Sequence, residues 1–91
     1  MLAFLYNARM ELRFYLENLA KHGVTTEEAE EALADTSGFT NKTQGGAFLH
    51  IGKTFSGRFL EIAYRKLPDK TAFVFHAMDA KEHQKKRYKK R

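Results

Sequence analysis

The sequence predicts an α+β domain: a small antiparallel sheet, two N-terminal helices and a basic C-terminal helix. Three observations carry that expectation. An amphipathic stripe and a capping signature occupy residues 8–34, and three short apolar runs joined by turn residues occupy 47–77. The charge, finally, is segregated. Residues 1–78 hold nine Lys/Arg against nine Asp/Glu, whereas Asp79 to Arg91, DAKEHQKKRYKKR, holds seven against two and supplies the whole net charge of +5.

The elements follow in order. Leu2 to Tyr6 can form a short strand, and Asn7 is a good helix N-cap because its side chain accepts from the first free amides. From Ala8 to His22, Leu12, Tyr15, Leu16 and Leu19 recur at i, i+3, i+4 and i+7, one stripe of a helix that Gly23 ends. Thr25 and Glu28 form a capping box, with Val24 as a staple, for a second helix over about Thr26 to Ala34. That helix turns Ala29, Ala32 and Leu33 inward, and its acidic face should point away from any nucleic acid.

Asp35 to Gly46 is a polar loop with at most a weak strand around Phe39. AFLHIG is a strand, KTFSG a turn, RFLEIAYR a strand, LPDK a turn with Pro68 at its second position, and TAFVFHA a third strand. Apolar residues on both faces place that third strand inside the sheet. Asp79 and Glu82 repeat the capping spacing and open a final helix of about 20 Å. All helices are expected on one face of the sheet.

Ninety-one residues make one domain with little spare core. The absence of Cys excludes disulfides and thiolate metal sites, and points to a reducing cytoplasm. The apolar opening MLAFLY is too short for a membrane span or a secretory signal. A pI near 9.6 favours anionic partners, with RNA the first candidate.

Residues 19–33, LAKHGVTTEEAEEAL, then GRFLEIAY, then VFHAMDAKEHQKKRY, together resemble the BrnT-like toxin family, small RelE-like proteins of bacterial toxin–antitoxin modules. The resemblance spans roughly Phe4 to Tyr88. It implies an endoribonuclease acting on messenger RNA, free or on the ribosome, without metal or other cofactor. It also implies a small antitoxin partner that binds DNA. The family's K-H-G element falls on Lys21, His22 and Gly23, and its strand Arg on Arg58. Its small-residue strand end falls on His76 and Ala77, and its C-terminal helix Glu and Tyr fall on Glu82 and Tyr88. There are departures: Met78 stands where many members carry Arg after the strand end, and Tyr6-Asn7 meets an aromatic-Asp pair.

Metal-free RNA cleavage needs a base for the ribose 2′-OH, an acid for the leaving oxygen, and cations for the phosphoryl charge. His76 and His22 suit the proton roles; the alternatives are a half-buried His bonded to backbone and a cation favoured at a helix end. Arg58 can brace a phosphate or solvate a hairpin. Glu82 is a catalytic candidate by its family position and a capping residue by its spacing. Lys21, Lys81, Lys85, Lys86, Arg87, Lys89 and Lys90 are the candidate RNA contacts, joined by Tyr88, which can stack on a base or anchor the helix. No His spacing matches a metal motif, and the glycines do not form a P-loop. Three functions therefore stay open: a toxin endoribonuclease, a non-catalytic RNA- or DNA-binding module of the same fold, and a subunit whose basic helix meets an acidic protein. A membrane-surface helix is disfavoured, because the tail lacks an apolar face.

Overall fold

The computed structural model describes residues 11–90. The expected strand at Leu2–Tyr6, the Asn7 cap, the start of the first helix and Arg91 lie outside the described residues.

Strand β1 (Glu11–Phe14) leads to helix α1 (Leu16–Lys21) and then helix α2 (Thr26–Ala34). Strands β2 (Phe39–Lys42), β3 (Phe48–Lys53), β4 (Phe59–Lys66) and β5 (Thr71–Asp79) follow, and helix α3 (Glu82–Lys89) closes the order. The sheet runs β1-β5-β4-β3-β2. Neighbours β2 to β5 pair antiparallel, but β1 lies parallel to β5, so the sheet is mixed rather than antiparallel.

The first predicted helix is corrected at its start. Glu11, Leu12, Arg13 and Phe14 fit a helical stripe, yet they also alternate, and their backbone is taken by the edge of β5. Tyr15 remains extended and donates its N–H to Val74 O at 2.8 Å. Of the expected stripe only Leu19 is buried, while Leu16 is 62% exposed. The helix ends as expected: Gly23 takes φ +68° and donates to Ala20 O.

Helix α2 matches the sequence expectation, with the reciprocal Thr25–Glu28 capping box. It lays Ala29 and Ala32 against Leu60, Ile62, Val74 and Ala77, and Leu19 and Val24 join the same core. Burying each large aliphatic there contributes about 1.5–3 kcal/mol. His50 adds a polar pin: its Nε2 donates to Ala32 O at 2.8 Å and its Nδ1 meets Thr40 Oγ1 at 2.8 Å. Gly52 is required beside it, because a Cβ would collide with the Ala32 carbonyl.

Three further expectations are corrected. Helix α3 lies on the opposite face from α1 and α2, not with them: it meets Glu61 and Phe59, whereas α2 meets Leu60 and Ile62, and alternate strand residues point to opposite faces. Asp79 and Glu82 do not form the capping box, because β5 continues through Asp79, whose carboxylate is bound by Arg58. Lys81 is the N-cap instead, and the Gln84 side-chain oxygen accepts its backbone N–H at 2.7 Å. The helix is consequently shorter, eight residues, or about 12 Å at 1.5 Å per residue. The third strand does lie inside the sheet, between β1 and β4.

Candidate functional site

The site forms where the end of β5, the start of β4, the α1–α2 turn and the first turn of α3 meet. A bulge in β5 is its first determinant. Ala63 pairs with His76 and Tyr64 with Val74, which leaves Phe75 without a register partner on β4. Simple alternation would put His76 on the core face with Val74. The extra residue turns it to the other face, beside Glu61 and Met78. Asn18 of α1 fixes the bulge by donating its side-chain Nδ2 to Phe75 O at 2.8 Å.

On that face His76 Nε2 meets Glu61 Oε2 at 2.9 Å. The other carboxylate oxygen, Oε1, accepts from Lys81 Nζ at 2.9 Å and from Gln84 Nε2 at 2.8 Å. Glu61 is only 6% exposed. Burial would raise its carboxyl, but the hydrogen bonds from Lys81, Gln84 and His76 more than offset this and hold it below the ordinary range. The ring of His22, at the C-cap of α1, packs edge-on to His76 with centroids 5.7 Å apart and planes at 72°.

Arg58 holds this arrangement from behind. Its Nε donates to Asp79 Oδ1 at 2.8 Å, and its Nη1 to Gly23 O at 3.0 Å and to Glu28 at 3.1 Å. Its Nη2 reaches His22 O at 3.4 Å. One guanidinium therefore ties the α1–α2 turn, the start of α2 and the end of β5 together. The hydrogen bond and charge of Asp79 strengthen its protonation further, and Arg58 in turn depresses the Asp79 carboxyl.

Among the expected site residues, His22, Arg58, His76 and Lys81 come together. Glu82 does not join them: it is exposed on the first turn of α3 and pairs with Lys85 at 3.4 Å. Lys21 is exposed on the last turn of α1, next to His22. Lys86 is exposed, and Arg87 lies over the Phe39 ring at 4.4 Å. Tyr88 anchors α3: its hydroxyl donates to Asp35 Oδ2 at 2.7 Å, and its ring packs edge-on to Phe59. Lys89 lines a shallow open cleft with Ser37, Lys53 and Tyr88, and Lys90 is exposed at the C-cap. The cations thus form a strip from His76 along α3 toward β2. Glu61 and Gln84 are additions that sequence reasoning passed over. Among the described residues no three His, Asp or Glu side chains converge to hold a metal, and no helix is long and apolar enough to cross a membrane.

Comparison with known proteins bears on the fold. No family model matches the sequence, and no curated protein sequence matches it significantly. The structure is similar to the crystal structure of the Brucella abortus ribonuclease toxin BrnT, with a TM-score of 0.63 and 18% sequence identity. The match covers 80% of this chain and 99% of that one. The chain has a BrnT-like α+β fold.

Proposed function

We propose that this protein is the toxin of a toxin–antitoxin pair and cleaves RNA with its own side chains, His76 and His22 carrying the proton transfers. The observation that carries this is their juxtaposition, 5.7 Å between ring centroids, at the head of a cationic helix. Support comes from the fold, shared with a protein described as a ribonuclease toxin.

In this scheme the RNA backbone lies along α3 and reaches the His22–His76 pair at the end of β5. His76 takes the proton of a ribose 2′-OH, the O2′–P bond forms, and the P–O5′ bond breaks. Protonated His22 gives its proton to the departing O5′. The products are a 2′,3′-cyclic phosphate and a 5′-hydroxyl. Lys21, next to His22 in the chain, and Lys81, bonded to Glu61, stabilise charge gathering on the phosphoryl oxygens, while Lys85, Lys86, Arg87, Lys89 and Lys90 hold the flanking strand. Arg58 acts through His22, because its donors already point at protein acceptors. Messenger RNA is the expected substrate, and a small DNA-binding antitoxin the expected partner.

Expressing the protein and mapping RNA 5′ ends tests the proposal. New ends should appear with the wild type and fall at least about 100-fold with His76→Ala, the scale of a lost acid–base group. A second function keeps specific support. Met78 stands beside Glu61 on the site's face, where many resembling proteins have Arg, so a guanidinium is missing there. RNA binding that weakens steeply with salt, without new ends, would establish a binding module instead.

A further inference from the structure

We propose that Glu61 is the positioning residue of this site: its Oε2 holds His76 with the proton on Nε2, leaving Nδ1 as the nitrogen that meets the RNA 2′-hydroxyl. The inference rests on the nuclease function above and names the group that sets up its base.

A carboxylate 6% exposed in a strand flanked by Leu60 and Ile62 is unfavourable unless its oxygens are bonded and its charge is matched. Here both conditions are met asymmetrically. Oε1 takes Lys81 and Gln84, both from the start of α3, and Oε2 takes His76. The two α3 contacts tie the head of that helix to the sheet. The His76 contact is additional, and it depends on the Phe75 bulge that turns the imidazole to this face.

An ionised carboxylate only accepts hydrogen bonds. The proton between the two groups therefore belongs to His76 Nε2, and a neutral ring then carries its lone pair on Nδ1. Among the described residues Nδ1 has no protein hydrogen-bond partner. The charged and titratable groups around the ring are Glu61 from β4, Lys81 from the head of α3 and His22 from the end of α1, with Arg58 and Asp79 one contact further away. When the ring takes the 2′-OH proton on Nδ1 it becomes an imidazolium whose Nε2–H still faces the carboxylate. Lys81 donates to the other oxygen of the same carboxylate, and its side chain stays half-exposed.

The test is a ¹H–¹⁵N correlation spectrum of the imidazoles in the full chain, read together with RNA cleavage. Wild type should show His76 as the Nε2–H tautomer. Glu61→Gln should mix the tautomers and slow cleavage by about 100-fold. An Nδ1–H tautomer in the wild type would overturn the proposal, even if the variant fails to fold. So would a folded Glu61→Gln protein with the tautomer and the rate unchanged. A wild type that shows the Nε2–H tautomer yet cuts no RNA would instead refute the nuclease function and leave the Glu61–His76 bond in place.

Discussion

At the residue scale, His22, His50 and His76 differ in what surrounds them. His50 is used by the fold: its two ring nitrogens are engaged by Ala32 O and Thr40, and it is buried at 7% exposure. Burial lowers its readiness to protonate below the ordinary 6.5. A folded-state value below the unfolded one means the unfolded chain binds more protons on acidification. The stability His50 provides is therefore complete above about pH 6.5 and is lost as pH falls toward the folded value. Glu61, Asp79, Asp35 and Glu28, all held below their ordinary values, act in the same direction in a lower window. Urea titrations across pH should show stability declining first below about pH 6.5, and His50→Gln should remove that first step while leaving the carboxylate one. His76 was legible in the sequence as a strand-end histidine, but its partner was not. In RFLEIAYR, Glu61 looks like the solvent position of an alternating strand. Only the cover provided by α3 and the Phe75 bulge make it a buried carboxylate facing His76, and neither leaves a local signal.

At the element scale, what could be read was what local chemistry decides. The capping box of α2, the Gly23 stop and the two hairpins of β3, β4 and β5 are set by residues a few positions apart, and they stand where the sequence put them. What could not be read depends on distant partners. ELRF satisfies both periods, and its choice between helix and strand is made by the free edge of β5, sixty residues away in the chain. Helix α3 has few apolar groups, so its sequence does not say which face of the sheet it covers. Polar bonds fix it instead, Gln84 and Lys81 to Glu61 at one end and Tyr88 to Asp35 at the other. Tyr88→Phe keeps the ring against Phe59 and removes only the hydroxyl bond. It should cost about 1 kcal/mol in equilibrium unfolding and expose α3 amides to faster hydrogen exchange. A change within error would mean the Asp35 contact does not hold the helix.

At the scale of the whole molecule, the two faces differ in charge. Helix α2 presents Glu27 and Glu30 on the face away from α3, and α3 presents Lys86, Arg87, Lys89 and Lys90 on the other. On the proposed function, a polyanion approaching along α3 would be steered toward the His22–His76 pair and repelled from the far side. The BrnT-like fold supplies the frame, while the proposed chemistry would rest on the pairing of a bulged strand with a buried carboxylate. The most direct measurement is the end chemistry of a defined single-stranded RNA incubated with purified protein in excess chelator. The account predicts 2′,3′-cyclic phosphate and 5′-hydroxyl ends, lost with His76→Ala. Products with 3′-hydroxyl and 5′-phosphate ends, or cleavage that the chelator abolishes, would contradict it.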